Sequence, residues 1–393
     1  MSFKPISVSV LTGFLGAGKT TLLNRLLKDP ALQDTAVIIN EFGDVSIDHL
    51  LVEQASDGVI QLADGCLCCT VRGELVDTLA DLIERVQTGK INELQRIVIE
   101  TTGLADPVPV LQALMGHPVL MQVLKLDGVI TAVDAVNGMT TLDAHIEGVK
   151  QVAVADRIVI TKSDLADKEQ LAALKTRIRS LNPAAEIYDV TADEIGYAAL
   201  FDCGLYNPAG KTPDVQNWLK ADSYDDHHSH DGHDHVCEIH GAGCSGHHHD
   251  YDHNHGHHHH HHHDATIRSF SLKHDAPVPF AAIQMFLDLL RSTHGDKLLR
   301  MKGIIAVAED AERPMVIHGV QQILHPPVRL KAWPQELQDS KYQTRLVLIT
   351  KDLDEAYVRD LFDTFLGKPR IDRADAQALT DNPLAIPGFS MKG

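Results

Sequence analysis

Short runs rich in Val, Ile and Leu recur through the first half of the chain, at residues 6–11, 36–39, 59–62, 97–99, 129–133, 158–160 and 187–190, with helical stretches between them. The runs 36–39, 97–99 and 158–160 are apolar throughout, as strands buried on both faces are, and mainly apolar runs separated by helices are the pattern of a mainly parallel sheet covered by helices. The first half is therefore predicted to be an α/β domain. After residue 264 the pattern changes. Strand-like runs at 267–272, 298–307, 315–324 and 344–349 are interleaved with amphipathic helical stretches at 279–290 and 354–366, an order that predicts a small α+β domain. From residue 368 onward, Pro369, Pro383, Pro387 and Gly388 predict a loose tail. No tandem repeat is visible.

The halves are separated by a segment of another composition. Eighteen of the chain's 25 histidines lie between His227 and His263, and residues 222–264 add nine acids, Cys237 and Cys244, but no Lys or Arg. With almost no apolar side chains to bury, this stretch reads as a flexible, solvated linker. It also concentrates the acidity: removing its −9 from the total of −19 leaves −10 on the other 350 residues. The predicted division is 1–221, 222–264, 265–367 and a tail, 368–393.

Hydrophobic residues make up 44% of the 393 and charged residues 23%, enough for more than one core and too much for wholesale disorder. The negative charge opposes phosphate backbones and anionic lipid, so neither nucleic acid nor membrane is an expected partner. No apolar run approaches the ~20 residues of a membrane span, and residues 1–5 lead into a strand pattern, not a signal peptide. The expected location is cytoplasmic. Six cysteines, three of them within four positions, suggest thiolate chemistry in a reducing compartment.

The strongest chemical signal is Gly13, Phe14, Leu15, Gly16, Ala17, Gly18, Lys19 and Thr20, which fits G-x-x-x-x-G-K-[ST] after a predicted strand and before a helical stretch that opens with Thr21. Such a loop wraps phosphates with backbone N–H groups and a helix N-terminus; Lys19 reaches the β and γ phosphates, and Thr20 ligates Mg²⁺. It does not choose between ATP and GTP. Thr161, Lys162, Ser163 and Asp164 follow the predicted strand 157–160. There Asp164 can accept two hydrogen bonds from guanine, which adenine cannot offer, while the Lys162 stem packs on the ring. Thr161 stands where Asn is more usual. Glu100, Thr101, Thr102 and Gly103 follow strand 97–99, where Glu100 can reach a Mg²⁺-bound water and the Gly103 amide can sense the γ-phosphate. Asn40, Glu41, Phe42, Gly43 and Asp44 form a second candidate switch segment, with Glu41 able to face metal or attacking water.

Cys66, Cys68 and Cys69 are bracketed by Gly65 and Gly73. Thiolates select Zn²⁺, Cu(I) and similar ions, and three of them leave one tetrahedral position for Glu41, water or a receiving protein. Buried structural thiols and a vicinal disulfide are the alternatives. In the linker, closely spaced imidazoles can form overlapping, weakly selective sites for Zn²⁺, Ni²⁺, Co²⁺ or Cu²⁺.

Together these residues resemble the CobW-like P-loop GTPases, a group that contains zinc chaperones and is related to the nickel-insertion GTPases of urease and hydrogenase maturation. The segments that carry the resemblance are 13–20, 40–43, 66–69, 100–103 and 161–164, in the family's order, with a further likeness at 345–354. The resemblance implies a P-loop NTPase fold, slow GTP hydrolysis, a metal held by the Cys run and neighbouring acids, and delivery to a client metalloprotein. It also implies that His117 resembles a position that binds metal in some members; a surface-helix histidine is the other reading.

The expectation is a cytosolic GTPase metallochaperone that uses GTP and Mg²⁺. Zn²⁺ is the leading cargo, with Co²⁺ or Ni²⁺ open, and a homodimer is among the assemblies open to it. Two other classes remain: a metal store or sensor that uses nucleotide only as a ligand, and a small-molecule P-loop kinase, although no arginine-rich lid is visible.

Overall fold

The computed structural model describes residues 5–32, 34–39, 60–63, 71–190, 200–201, 203, 267–334, 337 and 341–367. Seven parallel strands form the first sheet in the order β3-β2-β4-β1-β5-β6-β7. They are β1 (Ile6–Gly13), β2 (Thr35–Ile39), β3 (Ile60–Ala63), β4 (Arg96–Glu100), β5 (Leu124–Asp134), β6 (Arg157–Thr161) and β7 (Glu186–Asp189). The seven apolar runs each seed one strand, and the central strands are buried along nearly their whole length. Burial on both faces follows from the helices between them: α1 (Lys19–Leu26), α2 (Val71–Gln87), α3 (Val108–Gly116), α4 (Leu120–Val123), α5 (Gly138–Ala144), α6 (Ile146–Ala153) and α7 (Lys168–Leu181). One core gathers Val8, Val10, Leu79, Ile97 and Leu111, and another gathers Leu11, Leu23, Val37 and Val159.

β5 starts five residues earlier than its apolar run, because Asp127, which breaks the run, is itself buried. Asp127 is paired with Arg96 of β4 at 2.7 Å and accepts from Ser9 Oγ of β1 at 3.0 Å. A buried charge is tolerated only with such partners, and the pair ties three strands together.

The second sheet is antiparallel, in the order β11-β10-β9-β13-β8 with β12 on β10. Its strands are β8 (Ile267–His274), β9 (Leu298–Ile305), β10 (Met315–Val320), β11 (Ile323–Leu324), β12 (Val328–Arg329) and β13 (Thr344–Lys351). Helices α8 (Phe280–His294) and α9 (Glu355–Phe365) complete it, with Phe286 and Phe362 meeting edge to face in its core. Two details differ from the expected pattern. The run 315–324 is broken into a hairpin at Gln321, whose φ of +51° turns the chain, and the short strand at 328–329 had no apolar signal.

The sheets share side chains. Val320 and Ile323 join the core around Leu111 and Leu114, while Ile267, Leu299 and Ile349 join the one around Val152 and Ile158. Between them Asp156 is held by Arg300 and Lys302 of β9, all three buried. No described helix is long and apolar enough to cross a membrane.

Candidate nucleotide site

The carboxyl ends of adjacent strands bring the motifs together. Leu11 of β1 is in register with Glu100 at the end of β4, Gly13 with Ala132 of β5, and Asp134 at the end of β5 with Thr161 at the end of β6. The crevice outside such strand ends is where open α/β sheets bind ligands.

The loop leaves β1 at Gly13 and enters α1 at Lys19. Gly18 sits at the helix start with φ +85°, a conformation glycine adopts at little cost. Among the described residues no side chain caps this first turn, leaving the arrangement in which helix amides and the helix dipole receive an anion. Lys19 is buried and donates to the Phe14 carbonyl at 3.3 Å, spanning the loop. Gly16 is exposed, Ala17 is buried and Thr21 lies on the exposed side of α1. Thr20 Oγ1 donates to Glu100 Oε1 at 2.9 Å, so two hard oxygen donors meet beside the loop, a donor set that suits Mg²⁺.

The departure at Thr161 has a structural account. Its buried hydroxyl donates to the Ala17 carbonyl at 2.8 Å and so fastens the end of β6 to the phosphate loop. Lys162, at φ +56°, adds a second fastening, donating to the Gly16 carbonyl at 2.8 Å and to Asp134 Oδ2 at 2.7 Å. Burial opposes ionisation of Asp134, yet hydrogen bonds from Lys162, Asn137 and the Val136 amide hold its carboxyl below the ordinary value. Asp164 is exposed on the turn Ser163–Leu165.

Gly103 lies against the loop so closely that a Cβ there would sit 2.6 Å from both N and Cα of Leu15. Only glycine fits without displacing backbone. An open cleft of ≈ 350 Å³ alongside is lined by Phe14, Leu15, Asp134, Asn137, Thr141 and Gln151 among others.

Glu41, Cys66, Cys68, Cys69 and the His-rich segment lie outside the described residues, although β2 and β3, which precede the first two motifs in the chain, end at this same sheet edge. His117 is occupied locally, its Nδ1 accepting from the Leu120 amide at 3.4 Å. No group of three or more metal-ligating side chains occurs among the described residues.

Two contributors escape the motifs. Asp134 could have been found, as a carboxylate ending an apolar strand just as Glu100 does. Gln151 could not: its amide donates to the Gly103 and Ala105 carbonyls, 48 and 46 residues away, and nothing local in the chain marks it.

Comparison with known proteins gives the family. Residues 7–189 match the model described as CobW/HypB/UreG, nucleotide-binding domain, and residues 267–366 match the cobalamin synthesis protein cobW C-terminal domain. The zinc chaperone YjiA of Escherichia coli (strain K12) is 32% identical over 362 residues, covering 91% of this chain and 98% of that one. The chain belongs to the CobW/HypB/UreG family. A second relative of the CobW type, the zinc chaperone CobW of Pseudomonas aeruginosa, is 31% identical over 395 residues, 92% of each chain. The crystal structure of Zn(II)-bound YjiA GTPase from E. coli superimposes with a TM-score of 0.62 at 28% identity, covering 92% of this chain and 99% of that one. The CobW-type architecture thus spans both sheets.

Proposed function

We propose that this CobW-family chain is a GTP-hydrolysing metallochaperone that binds a divalent metal, Zn²⁺ foremost, and passes it to a client metalloprotein. The observation that carries the nucleotide half is the meeting of the phosphate loop, Glu100, Gly103 and the 161–164 segment at one sheet edge, with Thr20 bonded to Glu100 and Thr161 to Ala17. The metal half is supported by the zinc-chaperone names of relatives that align over nine-tenths of the chain.

In this reading Lys19 and the amides of the loop neutralise the phosphates, and Asp164 pairs with the base while Thr161 and Lys162 hold it in reach of the loop. Thr20 and Glu100 would hold Mg²⁺, which supplies charge neutralisation of the phosphate oxygens when bound. Gly103 contacts the γ-phosphate and changes place with nucleotide state. Glu41 is the candidate for placing the attacking water. Turnover is slow. Cys66, Cys68 and Cys69 hold the cargo with Glu41, water or the client as fourth ligand, and residues 222–264 form a low-specificity reservoir between domains 1–221 and 265–367. The protein works in the cytoplasm, with neither nucleic acid nor membrane as partner.

Turnover without an acceptor tests this reading against both rivals. Release of phosphate from GTP by the protein alone, with ATP spared, supports it; a kinase needs an acceptor and a store does not hydrolyse. Metal analysis of protein purified without affinity resin, with and without GTP, tests the cargo, and an absence of bound metal in both preparations would leave a GTPase without the chaperone role.

A further inference from the structure

We propose that Gln151 is a positioning residue for GTP hydrolysis, which from α6 holds Gly103 against the phosphate loop. The inference rests on the GTPase reading above. Gln151 is 1% exposed, and its Nε2 donates to the Gly103 and Ala105 carbonyls, each at 3.1 Å. Its own backbone carbonyl accepts from Thr131 Oγ1 at 2.8 Å, which fixes α6 to β5. The neighbouring Lys150 pairs with Asp106 Oδ2 at 2.7 Å, and the other oxygen of Asp106 accepts from the Val108 amide at the start of α3. Residues 103–106 are therefore tethered at both ends by consecutive residues of one helix. The start of α6 reaches the phosphate loop as well, where His145 stacks on Phe14 with ring centroids 4.6 Å apart.

Two features make Gln151 more than filling. Gly103 lies against the Leu15 backbone while its carbonyl accepts from this amide, so the amide bears on how close Gly103 lies to the loop proposed to wrap the phosphates. Among the described residues, moreover, nothing donates a hydrogen bond to the buried Gln151 Oε1. An unmet buried acceptor is costly, and methionine of similar length would fill the same space without it. What the position uses is the pair of N–H donors.

The test compares full-length parent, Gln151→Met and Gln151→Glu in Mg²⁺ buffer, measuring affinity for GDP and for a non-hydrolysable GTP analogue together with kcat and KM for GTP. Loss of two neutral hydrogen bonds should weaken the analogue about tenfold in the Met variant while GDP stays within about twofold, and kcat should fall in parallel. Glutamate, which sets oxygens against both carbonyls, should fall further. A purely structural role would lower the melting temperature and leave the analogue-to-GDP ratio alone. If both variants fold and keep that ratio within about twofold of the parent, Gln151 is packing and the proposal is wrong. Should neither fold, Lys150→Met probes the other tether, and an unchanged ratio there overturns the proposal equally. A parent that binds neither nucleotide would overturn the GTPase reading itself, a result distinct from all of these.

Discussion

The Thr161 hydroxyl donates to the Ala17 carbonyl across 144 residues of chain, at 2.8 Å and in a buried setting. That bond joins the segment proposed to read the base to the loop proposed to hold the phosphates. Thr161→Val keeps the shape and leaves the Ala17 carbonyl unmet, at a cost of about 1–3 kcal/mol. The expected outcome is a loss of about tenfold or more in affinity for GDP and GTP alike, while Thr161→Asn, which can reach the same carbonyl, retains most of it. Isothermal titration on the three proteins decides; parent-like binding by the Val variant would show that the two segments are positioned independently.

Asp164 makes the complementary prediction. It is exposed and accepts hydrogen bonds only, so its proposed value lies in pairing with the two donors of guanine, each unmet group costing about 1–3 kcal/mol. Asp164→Asn should reduce the preference for GTP over ATP without harming the fold. Equal affinity of the unmutated protein for ATP and GTP would remove the guanine assignment.

Much of this arrangement was legible in the sequence because its signals are local. The strands of the first sheet coincide with mainly apolar runs, and each nucleotide motif follows one of them, so the gathering at one edge comes from parallel topology alone. Asp134 was within reach of the same logic. The contacts that fix the motifs relative to one another were not, since Thr161 to Ala17, Gln151 to Gly103 and Asp156 to Arg300 join positions with no shared periodicity. The turn at Gln321 was hidden for another reason: its positive φ falls on a residue that is neither Gly nor Asn, inside a run otherwise strand-like.

The buried cluster between the sheets should dominate acid stability. Burial alone would raise the Asp156 pKa, but Arg300 and Lys302 outweigh it and hold the carboxyl far below its ordinary value. A carboxylate depressed in the folded state contributes stability above its unfolded pKa of about 3.9 and loses it as the pH falls further, through the folded value. Asp156→Asn leaves two buried cations without their anion, at a cost of about 3–5 kcal/mol near neutral pH. The variant should also show a shallower loss of stability below pH ~4, because that ionisation is gone. Denaturant unfolding followed across pH 3 to 7 measures both; a parent-like curve would mean that the ion pairs contribute little to the joint.

Removing residues 222–264 should lower the number of metal ions bound and leave GTP hydrolysis and the tightest site in place, because every nucleotide motif lies outside the segment. Metal counting by atomic absorption, alongside phosphate release, separates the two functions. Loss of folding or of all hydrolysis on deletion would show that the segment is structural.

Coupling is what distinguishes a chaperone from a store that carries a nucleotide. In the chain the Cys run falls between the two candidate switch segments, 40–44 and 100–103, and β2 and β3, which precede the first switch and the Cys run, end at the edge where Gly103 meets the phosphate loop. A γ-phosphate that orders those segments should therefore reshape the metal site. Reciprocity follows from linkage: whatever factor GTP applies to metal affinity, metal applies to GTP affinity, with about 1–3 kcal/mol typical of such couplings. Zn²⁺ titrated into protein loaded with GDP or with a non-hydrolysable GTP analogue should show affinities that differ at least about fivefold, the low end of that range. Cys66→Ala and Cys68→Ala should each abolish the difference, while the isolated effect of nucleotide on the remaining imidazole sites stays small. Identical Zn²⁺ affinity in the two nucleotide states of the parent would favour the store, because a cargo site indifferent to the γ-phosphate gains nothing from its hydrolysis.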